Sequence, residues 1–254
     1  QKLTFPSMVC SGHLDLHTDA GYRRLTGEDD EQKGYGMRGL NVLRRGIARR
    51  RAPTSTDTCP NRKVSAVHLI DSACKSHRLQ IRSSYSAETL AATHGLEDAY
   101  PTMITLHELR HGILSPEELK NLREIGGLGI RVTLTIDAES VYKSLSSRDL
   151  KIPTEKSLLG HVSWVRELLA AGIVDNIQWC DTRDMTADGH TKGSIDRAGL
   201  IEVMSGRQRY SHDTKEYRPY RPPKATTTNS EARPWIRART PGKATKKVCF
   251  VLGL

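Results

Sequence analysis

The stretch Arg131-Val-Thr-Leu-Thr-Ile-Asp137 predicts a β-strand that ends in a carboxylate. Apolar and polar side chains alternate along it, which is the period of two expected for a strand with one buried face. Its two faces are Val132, Leu134 and Ile136 on one side and Thr133, Thr135 and Asp137 on the other. Asp137 is therefore placed at the end of a strand.

Four other segments also show strand signals. They lie at residues 12–19, 36–43, 64–70 and 176–180. The first three indicate an antiparallel meander, and a polar stretch at 52–63, typical of an exposed loop, precedes the third. Asp19 falls at the end of the first strand, just as Asp137 ends its own strand.

Helical patterns occupy the segments between these strands. A stretch rich in Ala, Leu and Glu follows Ser83, which fits an N-cap, and Pro101 is expected to end this helix. The strongest helical period runs over residues 154–171, with Gly172 in the C-cap position. Further helices are predicted at 106–114, 116–125 and 138–145 and near Ala187. This order of elements favours a mixed α/β fold over a bundle or a sandwich.

The positive charge of the chain is unevenly distributed. The formal net charge is +10 over 254 residues, and from residue 207 onward twelve Lys and Arg residues face only three acidic residues. That part is also rich in proline and poor in aliphatic side chains, so it should not form a core. We therefore predict a folded domain over residues 1–204 and a disordered basic tail over residues 205–254.

The sequence shows no sign of a disulfide framework or a membrane segment. Its five cysteines contain no CxxC pair, which indicates free thiols. The apolar run at 248–254 is too short to span a bilayer, and the N-terminus lacks a secretory pattern. We expect an intracellular protein, cytoplasmic or nuclear, with no membrane partner.

Four carboxylates occupy positions from which they can converge. Asp19 and Asp137 end two strands, Glu88 lies in the first turns of the helix after Ser83, and Asp188 opens a helix after the last strand. Four such groups in one cleft repel one another, and hard cations such as Mg²⁺ or Mn²⁺ relieve that repulsion. Two ions roughly 3.5–4 Å apart can activate water and stabilise a leaving oxygen in phosphodiester hydrolysis. The chain holds 29 acidic residues, however, so composition alone does not single out these four.

The motifs around these carboxylates resemble, in order, those of ribonuclease H-type domains of copia-type retrotransposons. They are Leu16-His-Thr-Asp-Ala-Gly21, Arg82-Ser-Ser-Tyr-Ser-Ala-Glu-Thr-Leu-Ala-Ala92, Thr135-Ile-Asp-Ala-Glu-Ser-Val141 and Thr186-Ala-Asp-Gly-His-Thr-Lys192. The resemblance covers residues 12–204. It implies an α/β, ribonuclease H-like fold with a mixed five-stranded sheet flanked by helices.

The resemblance also implies a function. It is that of a divalent-metal-dependent endonuclease, a hydrolase that cleaves the RNA strand of RNA/DNA hybrids and recognises 2′-hydroxyl groups in the minor groove. The implied catalytic and metal-binding residues are Asp19, Glu88, Asp137 and Asp188, with two Mg²⁺ or Mn²⁺ ions. The implied partners are an RNA/DNA hybrid or other nucleic acid, and a reverse transcriptase or a larger assembly.

The sequence departs from the cellular ribonucleases H at one point. Those enzymes carry a histidine in the loop before the last aspartate, whereas the loop at 181–187 has none. His190 lies just beyond Asp188 and could substitute only if the start of the helix turned it inward. Copia-type domains often lack this histidine.

Basic residues in two regions are candidate contacts to nucleic acid. One region follows the second strand, and the other is the tail, where arginines sit beside aromatic residues in a mixture suited to stacking and phosphate contact. The candidates are Arg44, Arg45, Arg49, Arg50, Arg209, Arg218 and Arg221. The alternative for the tail is a solvated extension.

Two other functions stay open. A chain with the same fold could be catalytically inactive and act as a nucleic-acid-binding or structural subunit. The second is a zinc hydrolase, because His107-Glu-Leu-Arg-His111 is a formal HExxH motif, with Glu124 as its candidate third ligand. Gly34-Tyr-Gly-Met-Arg-Gly39 spells GxGxxG, but no strand precedes it, so a turn into the second strand explains it.

Overall fold

The computed structural model describes residues 3, 5, 10–22, 36–46, 63–77, 79, 81–121, 128–193 and 196–221. The strands are β1 (Cys10–Tyr22), β2 (Gly36–Gly46), β3 (Lys63–Ser76), β4 (Arg131–Ile136), β5 (Asn176–Cys180), β6 (Arg207–Tyr210) and β7 (Thr214–Tyr217). The helices are α1 (Ser84–His111), α2 (Pro116–Lys120), α3 (Glu139–Ser146), α4 (Leu159–Ala171), α5 (Asp188–Thr191) and α6 (Ala198–Met204). Short 3₁₀ turns lie at Lys156–Leu158 and Thr182–Asp184.

All seven strands belong to one mixed sheet, in the order β6-β3-β2-β1-β4-β5-β7. The predicted antiparallel meander of β1, β2 and β3 is confirmed, and β4 pairs in parallel with both β1 and β5. The mixed α/β class is therefore confirmed. The predicted number of five strands is wrong, because β6 and β7 add one strand at each edge.

The two added strands force the sheet to curl. Only residues 211–213 separate β6 from β7, yet these strands lie at opposite edges. In a flat sheet, six strand spacings would put the edges about 29 Å apart. The chain from Tyr210 to Thr214 can span at most about 14 Å. The edges must therefore approach each other, and we call residues 207–217, which join them, the strap.

The strap corrects the prediction of a tail that is disordered from residue 205 onward. Gln208 and Tyr210 are only 1% and 5% exposed, and the Asp184 carboxylate accepts hydrogen bonds from the backbone N–H groups of Ser211 and His212. The prediction was wrong for residues 205–221 because it required an apolar segment. The strap instead adds backbone pairing and polar side chains to an existing core. Residues 222–254 lie outside the described residues.

Helix α1 extends further than predicted. Its serine cap is confirmed: Ser83 Oγ accepts from the Ser86 backbone N–H at 3.1 Å, and Ser86 Oγ accepts from that of Ser83 at 2.9 Å. The predicted end at Pro101 is wrong, and the separate helix predicted at 106–114 is largely the last part of α1. A proline removes one helical hydrogen bond. Here the burial of Met103 and other side chains beyond it maintains the helix.

The helix predicted at 138–145 is found as α3 with the same length, shifted by one residue, whereas two other predicted helices are shorter in the structure. Helix α2 begins at Pro116 as expected but ends at Lys120, and residues 122–127 lie outside the described residues. The helix predicted at 154–171 forms a 3₁₀ turn followed by α4, which ends at the predicted Gly172 with a left-handed φ of 78°. Strand β5 has the predicted bounds.

The main hydrophobic core lies between one face of the sheet and helices α1 and α4. Its members include Leu14, Leu16, Leu40, Val42, Ala92, Leu96, Val162 and Val165. Helix α1 approaches β1 most closely at Gly95, where an added Cβ would lie 2.4 Å from Thr18 Cγ2. Glu88 lies two turns earlier on the same side of α1, since seven residues make nearly two full turns. This close approach therefore brings Glu88 towards the end of β1.

The opposite face of the sheet buries a polar network around His17. His17 Nδ1 lies 3.0 Å from Thr186 Oγ1, and its Nε2 lies 3.0 Å from the Tyr210 hydroxyl. Asn41 donates to the same Thr186 oxygen at 3.2 Å. Burial lowers the pKa of His17 to about 4, so the imidazole is neutral at physiological pH. Because both ring nitrogens of His17 have polar neighbours, the strap can cover this part of the face.

Replacing Gly95 by alanine should destabilise the protein by about 1–3 kcal/mol, as overpacking does. Thr18 is buried and β-branched, so it cannot easily turn away from the new methyl group. The matched control is Gly160→Ala in α4, where an added Cβ meets nothing within 4 Å. That variant should be slightly more stable, because alanine favours helices. Denaturant unfolding measures both, and equal effects at the two positions would contradict this packing.

A chain that ends at Gly206 should be less stable than one that ends at Arg221. Both lack residues 222–254, so the comparison isolates the strap and the residues just after it. We expect the unfolding midpoint of the shorter chain to be at least about 5 °C lower, since two edge pairings and the partners of His17 are lost. Equal midpoints would show that the strap does not hold the sheet in its curled form.

Candidate metal centre

The parallel pairing of β1 with β4 places Asp19 beside Asp137. The register sets His17 opposite Thr135, so the two aspartates, each two residues further along, reach the same end of the sheet. Glu88 comes to this end from α1, where its carboxylate accepts a hydrogen bond from the backbone N–H of Ala20.

Three of the four predicted carboxylates meet directly. Asp19, Glu88 and Asp137 each offer an oxygen within 4.8 Å of the others. Within the described part of the chain, this is the one group of three or more His, Cys, Asp or Glu side chains that could hold a metal ion.

Asp188 joins the cluster through its contact with Asp19. The Lys192 ammonium nitrogen lies 2.7 Å from Asp188 Oδ1 and 3.5 Å from Asp19 Oδ1, so it bridges the two aspartates. The structure thus brings all four carboxylates together. Their catalytic and metal-binding roles stay a prediction.

Two glycines allow α5 to lie directly on the sheet. An added Cβ at Gly39 would lie 2.7 Å from the Ala187 carbonyl oxygen, and one at Gly21 would lie 2.8 Å from that of Thr191. Real Cβ atoms essentially never come this close to backbone oxygen. The backbone around α5 can therefore reach β1 and β2 only because these positions lack side chains, and this contact keeps Asp188 at the cluster.

Three of the carboxylates have a raised pKa. Burial, followed by the charges of Asp19 and Asp137, raises the pKa of Glu88 to about 9. Burial and the charge of Asp19 raise the pKa of Asp188 to about 7, and the same two causes raise the pKa of Asp137. Without cations, the cluster therefore retains protons at neutral pH.

The residues of the cluster fit a hard divalent cation. All four donors are carboxylates, which suit Mg²⁺ and Mn²⁺. Asp19 Oδ1 and Asp188 Oδ2 are buried and have no hydrogen-bond partner among the described residues, which leaves them available as ligands. Buried polar atoms normally have such partners, so these two need an explanation, and a bound cation would provide it.

Three residues that contact the carboxylates were not predicted as part of the site. The Thr191 hydroxyl donates to Asp19, the Thr182 side chain donates to Asp137, and Lys192 pairs with Asp188. The i,i+4 spacing of Asp188 and Lys192 on a helix is a sequence signal that could have found this pair. The distant contact of Thr182 has no such signal.

Most of the described candidate arginines make contacts within the protein. Arg45 donates to Asp15 at 2.6 Å, Arg209 lies 2.8 Å from Glu202, and Arg218 lies 3.1 Å from Asp175. Arg221 donates to the carbonyl oxygens of Leu169, in the last turn of α4, and of Val174, just after it. Arg44 is half-buried on β2. Arg49 and Arg50 lie outside the described residues. A role for these arginines in nucleic-acid binding stays a prediction.

The other motifs do not form sites within the described residues. His107 is buried and His111 is exposed, their ring centroids are 4.7 Å apart, and no third ligand joins them in this part of the chain. Glu124 lies outside it. Gly36 and Gly39 belong to β2 rather than to a phosphate-binding loop.

His190 lies away from the carboxylates. Its Nε2 atom is 2.9 Å from Asn41 Oδ1 and 3.2 Å from Ser72 Oγ. His190 therefore connects α5 to the polar face of the sheet and is not turned into the cluster.

Comparison with known proteins gives structural neighbours only. No protein-family model and no curated protein matches the sequence. Among solved structures, ribonuclease H1 of Halobacterium salinarum is 14% identical, with a TM-score of 0.42 over 73% of this chain and 99% of its own. The N-terminal ribonuclease H domain of a Mycobacterium tuberculosis protein is 15% identical, with a TM-score of 0.40 over 74% and 97%. LC11 ribonuclease H1, solved with an RNA/DNA hybrid, is 13% identical, with a TM-score of 0.39 over 73% and 98%.

None of the described helices combines the length and the apolar character that are needed to cross a bilayer.

The raised pKa of Glu88 predicts a pH dependence of stability in metal-free protein. Because this pKa is higher in the folded than in the unfolded state, the stabilisation is present at low pH and is lost as the pH rises towards about 9. The unfolding midpoint should fall by roughly 3 °C per pH unit between about pH 7 and pH 9. Glu88→Gln should flatten this decline, whereas the exposed control Glu97→Gln should leave it unchanged. A decline in Glu88→Gln as steep as in the parent would contradict this interpretation.

Proposed function

We propose that this chain is a divalent-metal-dependent endonuclease of retroelement type that cleaves the RNA strand of RNA/DNA hybrids. The observation that carries the proposal is the meeting of Asp19, Glu88, Asp137 and Asp188 at one end of the sheet. These residues were selected from motifs in the sequence, and they come from four separate elements. Four arbitrary acidic residues among 29 would not be expected to meet in this way.

Each carboxylate would have a distinct role. Asp19 groups with Glu88 and Asp137 and shares Lys192 with Asp188, so it would be the carboxylate that both ions use. Bound divalent cations would supply an activated water and stabilise the leaving oxygen of a phosphodiester. The Thr191 hydroxyl orients Asp19, and the Ala20 backbone N–H orients Glu88. Glu88 would release its proton when the cation binds, since carboxylate ligands are deprotonated.

A cleft at the start of the helix that carries Glu88 has a charge suited to a polyanionic substrate. Its volume is about 750 Å³, and it lies at the N-terminus of α1, the helix that carries Glu88. Its charged lining consists of Arg82, Lys143 and Lys151 and one acidic residue, Glu155, so positive charge is in excess. Positive side chains beside the positive end of a helix dipole favour phosphate groups. A hybrid bound here would have its backbone close to the carboxylate cluster. A reverse transcriptase or a larger assembly is the proposed partner that would present the hybrid.

The assay uses a hybrid with a labelled RNA strand, incubated with the full chain and Mg²⁺. The parent should cleave the RNA strand, and Asp137→Asn should lower the rate by at least about a hundredfold, the scale expected for loss of a direct electrostatic contact. Glu97→Gln, an exposed position on α1, is the control and should cleave like the parent. Duplex DNA should stay intact.

Two outcomes would overturn the proposal. Equal rates for the parent and Asp137→Asn would show that the cleavage comes from another site or another protein. Hybrid binding without cleavage in Mg²⁺ or Mn²⁺ would favour the alternative of an inactive nucleic-acid-binding subunit.

A further inference from the structure

Lys192 provides a positive charge inside the carboxylate cluster. Its ammonium nitrogen lies between two buried aspartates, 2.7 Å from Asp188 Oδ1 and 3.5 Å from Asp19 Oδ1. Within the described part of the chain, no other Lys, Arg or His side chain pairs with any of the four carboxylates. Among the described residues, Lys192 is thus the one cationic side chain that pairs with the cluster.

The ammonium group contacts the two carboxylates that could hold a second cation. Oxygens of Asp19, Glu88 and Asp137 lie within 4.8 Å of one another and could hold one ion, and Asp19 and Asp188, which Lys192 bridges, could hold the other. A Mg²⁺ ion bound to Asp188 would sit about 2.1 Å from the coordinating oxygen. An ammonium nitrogen 2.7 Å from Asp188 Oδ1 would repel that ion, whichever oxygen of the same carboxylate it bound. The two cations would therefore compete for this carboxylate.

We propose that Lys192 occupies the second cation position in the metal-free protein and competes there with the divalent ion. This inference rests on the proposed metal centre and concerns how that centre is filled. The first ion binds to Asp19, Glu88 and Asp137 with Lys192 in place. Asp19 and Asp188 would hold the second ion more tightly once the lysine side chain has left Asp188.

The side chain of Lys192 is able to leave. It is 37% exposed, whereas those of Asp19 and Asp188 are 0% and 2% exposed. Its stem is flexible, and a displaced ammonium group regains its hydration in water. The aspartates, by contrast, are fixed by β1 and by the glycine contacts under α5. Competition therefore moves one exposed side chain and leaves the remaining ligands in place.

The experiment measures Mn²⁺ binding to the full chain, with free Mn²⁺ followed by electron paramagnetic resonance. Parent, Lys192→Met and Lys75→Met are compared. Lys75 is the matched control, because it also pairs with an aspartate, Asp98 at 3.3 Å, but outside the cluster. The parent should bind one ion tightly and a second ion weakly. Lys192→Met should bind the second ion at least about tenfold more tightly, while Lys75→Met should bind like the parent.

A second measurement tests the metal-free state. Without the ammonium, the metal-free Lys192→Met protein should unfold at a lower temperature than the parent, and Mn²⁺ should raise its midpoint by more. If this variant does not fold without metal, Lys192→Gln, which can still donate to Asp188, replaces it. We expect the same lower unfolding temperature without metal and the same larger rise with Mn²⁺.

The outcomes separate this inference from the proposed function. Unchanged or weaker binding of the second ion in both Lys192 variants would overturn the competition, and so would an equal gain at both ion positions, which indicates only a general charge effect. The proposed metal centre would stand in either case. Absence of Mn²⁺ binding in the parent and all variants would contradict the proposed metal centre, and the proposed competition would fail with it.

Discussion

The parallel pairing of β1 with β4 brings Asp19 and Asp137 to the same end of the sheet, and the remaining features of the site are arranged around this pair. Two buried carboxylates so close together are unfavourable, and Glu88 and Asp188 increase the repulsion. The folded chain tolerates them because burial of the apolar side chains between the sheet, α1 and α4 offsets the cost. Retained protons and Lys192 reduce it further.

The two faces of the sheet pack against different parts of the chain. The apolar face holds α1 at the distance that Gly95 allows, and this contact positions Glu88. The polar face is sealed by the strap, whose Gln208 and Tyr210 reach the network around His17. The same network extends through Thr186 and Asn41 to α5. The strap therefore supports the segment that carries Asp188, although the strap itself lies far in sequence from Asp19, Glu88 and Asp137.

Sequence periodicity was sufficient for β4, β5 and the meander, because apolar side chains on one face alternate with polar side chains on the other, although the structure buries both faces. It failed at Pro101, where tertiary burial outweighed the local effect of proline. It also failed for β6 and β7, which are short and polar and depend on partner strands distant in sequence. The four carboxylates could be singled out only through their motifs. The contacts of Thr182 and Thr191 depend on tertiary structure, which no local pattern encodes.

The most direct test of the central claim is anomalous diffraction at the manganese absorption edge, from crystals of the full chain grown with Mn²⁺. The carboxylate geometry predicts an anomalous peak within coordination distance of Asp19, Glu88 and Asp137. An ordered cluster without a peak, or a peak found only beside His107 and His111, would contradict the account.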